Sequence, residues 1–548
     1  MQNEFGQMST RTKRIVALIG AIVALTMIGL GIWGIVAADS REPAESSNMG
    51  DSGKLVATVD SSDVNLPDYY APGMVLQRDK PLRIRGTLSS TVTTANIPDF
   101  TVSVEYDGAP AVSGVARRDG PGFVADLPAL TGSTRPGTLN VSAGGRTLRE
   151  ISPVYVGDVF VAAGQSNMEL NVAQYYASDA GRKVNLEDVF TVKDLPKLIN
   201  DKNVHFIATD RKTDTKAYPV IAENKNGWLT ATGKNTEHLS FLAQQFAQQL
   251  RTRDREVPVG IIQTAWGGTA ISGHVKGGAI YESHIAPLKD YRVAGVLWYQ
   301  GCNDAAYEST ALEYETNFVG LINQYRVVFG EDDLPFLYVQ LARFNGRSTY
   351  PLIYLPELRQ AQMKTLGNAA LRNAKNVGMT VSIDTDKGTS GVIHPLGKDI
   401  IASRMAQQWW AMTGKSDADA DSTGSALVPS SPIAVGMSRD AGGNATVSFA
   451  PGTALGLQAR TPLYTKEAVP SHVSDATATP IEGVRVSDFD GQFVDADSAV
   501  IAGDKLVVSS SKVKNIRQVS YLWDRNPQSR SMIYNQWELP ASPFVVGS

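Results

Sequence analysis

Five near-continuous apolar stretches, at residues 154–163, 257–264, 293–299, 335–341 and 377–383, decide what this chain can fold into. A strand buried on one face alternates apolar and polar residues, whereas a strand covered on both faces does not. Stretches with helical spacing separate several of them. One covers 241–250, where Phe241, Leu242, Phe246 and Leu250 share a face; others cover 314–329 and 355–366, and a last one follows His394. Apolar strands joined by crossover helices form a parallel sheet with helices on both faces. Ligands of such sheets bind outside the carboxyl ends of the strands. Chemistry is therefore sought in the residues just beyond each strand.

The flanks read differently. Residues 65–150 alternate, as in Leu82-Arg83-Ile84-Arg85 and Phe100-Thr101-Val102-Ser103-Val104, and are punctuated by Asp107-Gly108, Asp119-Gly120 and Gly144-Gly145. This pattern predicts a small antiparallel β-sandwich. Residues 151–414 form the α/β part. Residues 415–431 are rich in Ser, Asp and Pro and read as a linker. Alternation resumes over 432–548, as in Lys505-Leu506-Val507-Val508-Ser509, and predicts a second β-domain. A chain of 548 residues has room for these several domains.

At the amino terminus, Arg11, Lys13 and Arg14 precede an uncharged stretch at 15–38, and Asp39, Arg41, Glu42 and Glu45 follow it. Such a stretch is long enough to cross a hydrocarbon core of roughly 30 Å as a helix. The basic flank predicts residues 1–14 in the cytoplasm, with the bulk of the chain outside it. Val36-Ala37-Ala38 also resembles a signal-cleavage site, which leaves a secreted protein as the alternative. Residues 39–64, rich in Ser, Asp, Gly and Glu, read as a flexible tether. The net charge of −4 and pI of about 6.0 offer no basic stripe, so no nucleic-acid partner is expected. Cys302 is the single cysteine, which excludes an intramolecular disulfide.

The first apolar strand runs into Gly164-Gln165-Ser166-Asn167-Met168. A Ser in a tight turn at a strand's carboxyl end presents its hydroxyl, and the neighbouring backbone N–H can stabilise an oxyanion. The same residue also suits a helix cap. The second strand ends in Thr264-Ala265-Trp266-Gly267-Gly268-Thr269, where two glycines permit close backbone approach to a ligand or simply make a turn. The third ends in Trp298-Tyr299-Gln300-Gly301-Cys302-Asn303-Asp304. Amides there can donate to developing negative charge, and Gly, Asn and Asp also favour turns. The fifth is followed by Asp384, Asp386 and then His394-Pro395. Of the six histidines, only His394 directly follows the end of a core strand, from where it can lean back toward Ser166.

This ordered set resembles the sialate O-acetylesterase family of SGNH hydrolases. Gly164-Gln165-Ser166-Asn167-Met168-Glu169 is similar to the family's nucleophile block, Thr264-Ala265-Trp266-Gly267-Gly268-Thr269 to its second block, Trp298-Tyr299-Gln300-Gly301 to its third and Ile393-His394-Pro395 to its last. Met74-Val75-Leu76-Gln77-Arg78 and Leu539-Pro540-Ala541-Ser542-Pro543-Phe544 extend the likeness over most of the chain after the tether. The resemblance implies an SGNH-hydrolase, flavodoxin-like three-layer catalytic domain between N- and C-terminal β-domains, and the hydropathy of residues 15–38 adds the N-terminal transmembrane helix. It implies Ser166 as nucleophile and His394 as base, with no metal or organic cofactor. The oxyanion and substrate contacts it implies are the Ser166 N–H, Gln165, Gly267 or Gly268, and an amide of Gln300 or Asn303. The substrate it implies is an O-acetylated carbohydrate or glycoconjugate.

Two positions depart from the family pattern. Many members carry Glu where this chain has Cys302, and many carry Asp just before the His, where this chain has Gly391 and Val392. The acid that orients His394 is thus left between Asp384 and Asp386, or absent. Cys302 as nucleophile is the weaker option beside Ser166, because no base is adjacent. An anchored enzyme also fits cell-envelope polysaccharide, glycolipid or xylan as substrate, and the altered positions leave open an inactive glycan-binding protein.

Overall fold

The central sheet is built from strands that need no alternation because helices cover both of its faces. A computed structural model describes residues 59–547 apart from 91, 93–99, 107, 109, 172–197, 215, 347–350, 416–427, 463–479 and 489–490. The expected membrane-spanning stretch at 15–38, residues 39–58 of the tether and most of the 415–431 linker lie outside the described residues. Among the described residues no helix is long and apolar enough to cross a membrane.

The sheet contains β1 (Arg146–Gly164), β2 (Asp201–Ala208), β3 (Val259–Gln263), β4 (Gly295–Tyr299), β5 (Phe336–Gln340) and β6 (Val377–Val381). Their spatial order is β2-β3-β1-β4-β5-β6, and every pair is parallel. The five apolar stretches of the sequence are all strands here. The sequence did not suggest β2, because its first half, Asp201-Lys202-Asn203, is polar and only Val204–Ala208 is buried.

Helix α1 (Ser166–Glu169) is a single turn. The long helices are α2 (Phe241–Arg253), α3 (Glu308–Phe329), α4 (Leu355–Thr365) and α5 (Lys398–Met412). Register decides which face each covers. Phe160 of β1 pairs with Gly295 of β4, while Ala163 pairs with Trp298, so Phe160 and Trp298 point to opposite faces. Phe160 meets Phe246 of α2 and Trp409 of α5 edge-on, with ring centroids 4.9 and 5.2 Å apart. Trp298 stacks on Phe318 of α3 at 5.8 Å. Helices α2 and α5 thus cover one face, and α3, with α4 packed against it, covers the other. This is an α/β fold with additional β-structure on each side.

The amino-terminal β-structure is continuous with the sheet. Strand β1 pairs antiparallel with Ser133–Ala143 through its first half and parallel with β3 and β4 through its second. The expected junction between residues 150 and 151 falls inside this one strand. The hairpin turns at Gly144 and Gly145, which take φ of +57° and +78°. The carboxyl-terminal region forms antiparallel sheets, including Ala434–Arg439, Ala445–Phe449, Lys505–Ser509 and Ser498–Ala502. It is bonded directly to the α/β part: Gln340 Nε2 donates to Ser542 Oγ at 2.7 Å, and Arg359 donates to the Asp524 carbonyl at 2.7 Å.

Candidate active site

The chain leaves β1 and goes first to one side of it (β2, β3) and later to the other (β4). This opens a crevice between the carboxyl ends of β1 and β4. Gly164 closes the backbones together there. Its φ is +125°, and a Cβ on it would lie 2.4 Å from the Tyr299 carbonyl oxygen. Gln165 is buried and bridges the crevice. Its Oε1 accepts from Gly301 N and Cys302 N at 2.9 and 3.0 Å, and its Nε2 donates to Asn303 Oδ1 at 3.3 Å. Gln165 therefore serves here as a brace for the turn after β4.

Ser166 follows as the first residue of α1 and is half-buried. His394 Nε2 lies 2.8 Å from its Oγ, across 228 positions of sequence. The glycines after β3 approach from the other side. A Cβ on Gly267 would lie 3.0 Å from Ser166 Cβ and 2.6 Å from Glu169 Oε2. The Gly267 N–H donates to Glu169 Oε2 at 2.7 Å, and Arg211 grips both oxygens of that carboxylate at 2.7 and 2.6 Å.

The expected oxyanion donors fall into two groups. Gln300 is buried with its amide in use: Nε2 donates to Thr269 O and Asp304 Oδ2 at 3.0 and 2.5 Å, and Oε1 accepts from Tyr314 Oη at 3.0 Å. The Gly267 N–H is held by Glu169, as above. By contrast, the Ser166 and Gly268 N–H groups have no acceptor among the described residues. Asn303 sits at the mouth, and its Nδ2 carries a second hydrogen beyond the one given to Gly268 O at 3.1 Å. Among the described residues, no cluster of His, Cys, Asp or Glu is placed to hold a metal ion.

Residues 156–393 match the family described as carbohydrate esterase, sialic acid-specific acetylesterase. That stretch of the chain is similar to this family. Sialate O-acetylesterases from mouse and human are each 24% identical, over 333 and 299 residues. Those alignments cover 49% and 47% of this chain, and 58% and 54% of the relatives' own length, so the chain spans little more than half of either. The crystal structure of a carbohydrate acetylesterase from Xanthomonas citri superposes with a TM-score of 0.66 at 27% identity, over 88% of this chain and all of that one.

At this site the two candidate acids are each engaged by a buried arginine. Asp384 accepts from Arg404 Nη1 and Nη2, both at 2.8 Å, and from Tyr534 Oη at 2.9 Å. Asp386 pairs with Arg343 and accepts from Gly388 N at 2.8 Å; burial raises its pKa. The Asp386 carbonyl accepts from Thr389 N, and Thr389 Oγ1 accepts from Leu396 N at 3.0 Å. The two aspartates thus brace the loop that carries His394.

Cys302 is buried, and burial pushes its thiol up to about 12. A protonated, enclosed thiol is a poor nucleophile. Behind it lies Lys398, in the first turn of α5, nearly inaccessible to solvent; burial brings its ammonium down to about 7. The sequence assigned no role to Lys398, Asn167, Glu169 or Arg211. Asn167 and Glu169 were visible in the nucleophile block. Arg211 follows the short apolar run ending at Ala208, which was the available signal for β2.

Proposed function

We propose that this chain is a carboxylic ester hydrolase that removes O-acetyl groups from a carbohydrate or glycoconjugate, in the manner of a sialate O-acetylesterase. The observation that carries this reading is the 2.8 Å contact between Ser166 Oγ and His394 Nε2 at the crevice between β1 and β4. His394 Nε2 takes the hydroxyl proton as Ser166 Oγ attacks the acetyl carbonyl. The resulting oxyanion is met by the Ser166 N–H, the Gly268 N–H and Asn303 Nδ2. The imidazolium returns its proton to the leaving sugar alkoxide. A water molecule, deprotonated by the same imidazole, then releases acetate from Ser166.

The finer fold reading, an SGNH-hydrolase core of flavodoxin-like order, belongs to this proposal. With β2 set aside, the strands stand in the chain order second, first, third, fourth, fifth, which supports it. The position outside the cytoplasm is likewise proposed. It rests on Arg11, Lys13 and Arg14 before residues 15–38 and the acidic residues after them, with the membrane as partner through that stretch. Protease treatment of intact cells tests it, since a protected catalytic domain would end the idea.

Activity is tested with an aryl acetate and a fluorophosphonate probe. Turnover and labelling are expected for the native protein and neither for Ser166→Ala. A folded native protein that does neither is a binding protein instead. Acetate release from an O-acetylated sialoside, acetylxylan and envelope extracts then ranks the substrates.

A further inference from the structure

A buried lysine four residues beyond the base calls for an explanation, because an amine without good partners is costly to enclose. Lys398 Nζ donates to Asn167 Oδ1 at 2.6 Å and lies 4.8 Å from the centre of the Tyr299 ring. The other group that faces Lys398 is the buried Cys302 thiol, a weak acceptor. Asn167 Oδ1 is the oxygen to which Lys398 donates.

The Asn167 amide makes a second contact. Its Nδ2 donates to the Ile393 carbonyl at 3.0 Å and lies 3.9 Å from Cys302 Sγ. An ammonium only donates and a backbone carbonyl only accepts. Facing Lys398 on one side and Ile393 on the other, the amide can satisfy both in one orientation only. Lys398 thus sets the direction of Asn167, and Asn167 holds the residue before His394. Asn167 is itself the residue after Ser166. The bond is a strut that joins the immediate neighbours of the nucleophile and the base, parallel to the Ser166–His394 contact. Unlike that contact, it does not depend on the protonation of the imidazole, so it persists when His394 becomes charged during the reaction.

We propose that Lys398 and Asn167 form a positioning pair that keeps His394 in reach of Ser166. The proposal rests on the hydrolase reading above, with Ser166 and His394 in those roles.

Asn167→Asp separates positioning from folding. The carboxylate still accepts from Lys398, as an ion pair, but has no N–H for the Ile393 carbonyl. We expect a folded protein with a melting temperature close to that of the native chain. Its kcat for an aryl acetate is expected to fall about 10–100-fold, as displaced catalytic groups do. KM is expected to stay within about twofold, because the substrate contacts are untouched. Fluorophosphonate labelling of Ser166 should slow by a factor similar to that on kcat. Lys398→Met should move kcat in the same direction. The double variant should be no slower than the worse single one, since both act through one bond. The proposal is overturned if either Asn167→Asp or Lys398→Met retains kcat within about twofold, or if their losses multiply in the double variant. Ser166→Ala run alongside keeps the two levels apart. Turnover surviving in Ser166→Ala sinks the assignment of Ser166 as nucleophile, on which the proposal rests, whereas a silent Ser166→Ala beside a fully active Asn167→Asp sinks only the positioning pair.

Discussion

Ser166 stands where a central strand ends, on backbone fixed by Gly164 against Tyr299 and by the buried Gln165 across the crevice. His394 stands in residues 382–397, which contain neither helix nor strand. Its loop is held by side chains: Asp384 with Arg404, Asp386 with Arg343, Thr389 with Leu396, and Asn167 with Ile393. The proposed nucleophile is thus placed by main-chain geometry that β1 cannot avoid. The proposed base is placed by buried polar bonds, each of which a single substitution can remove. Substitutions on the two sides should therefore fail in different ways.

The largest effect belongs to the proposed nucleophile. Ser166→Ala should lower kcat for an aryl acetate by roughly 10⁶-fold while leaving the melting temperature unchanged, because loss of the serine or the histidine of such a pair removes the whole unit. A loss of less than tenfold would mean that another group attacks. On the base's side, Asp384→Ala should cost stability first. It leaves Arg404 buried without its carboxylate, a change worth about 3–5 kcal/mol. Urea denaturation measures it, and a cost below about 1 kcal/mol, the worth of a surface pair, would show that the arginine is solvated in solution.

The same contrast explains what could be read from the chain beforehand. The parallel sheet was legible because β3 to β6 are short apolar runs buried along their whole length. Strand β1 misled as to its extent. Its first half is partly exposed and its second half fully buried, so a change of pattern within one strand looked like a domain junction. Strand β2 was hidden by Asp201-Lys202-Asn203. Ser166 was singled out because it follows the end of β1, and His394 because it stands after the last strand of the sheet and just before the last long helix. The amides were not, since a glutamine that braces a turn and one that faces an oxyanion are the same letter. Gln165 and Gln300 turn inward to backbone and side-chain partners, and only their neighbours tell this. Lys398 reads as a solvent-facing helix residue until α5 packs it behind Cys302.

On the nucleophile's side the next effect is electrostatic. Asn303→Ala removes one donor at the mouth and should lower kcat by about 10²–10³, or about 2.7–4 kcal/mol of barrier, with KM little changed. Gln300→Ala makes the informative partner. Its amide is committed to Thr269, Asp304 and Tyr314, so its loss should appear mainly in the melting temperature. Equal losses of kcat without destabilisation in Gln300→Ala would move the oxyanion to that residue.

A smaller signal comes from pH. Lys398 titrates near 7 in the folded protein because it is buried, against 10.5 when exposed. The groups that face it are the Cys302 thiol, the Tyr299 ring and the Asn167 amide. Between those two values the unfolded chain binds the extra proton, so this group's contribution to stability is full above pH 10.5 and is lost as pH falls toward 7. The melting temperature of Lys398→Met should therefore rise less, or fall more, than that of the native protein between pH 7 and pH 10. Parallel curves would mean that the amine is hydrated.

The smallest expected effect marks where side-chain support of the base stops mattering. Lys387 pairs with Asp399 of α5 at 2.8 Å, linking the His394 loop to the helix that follows it. Both groups are partly open to solvent, at 16% and 27% exposure. Water screens such a pair, and ordering two side chains offsets part of the attraction, so Lys387→Gln should cost about 0.2–1 kcal/mol, less at high salt. Asp399 keeps its favourable place in the first turn of α5 whether or not Lys387 is charged. The kcat of Lys387→Gln should match the native value. If kcat drops tenfold instead, the loop is positioned from its surface as much as from its buried arginines, and the division between a backbone-held nucleophile and a core-held base does not stand.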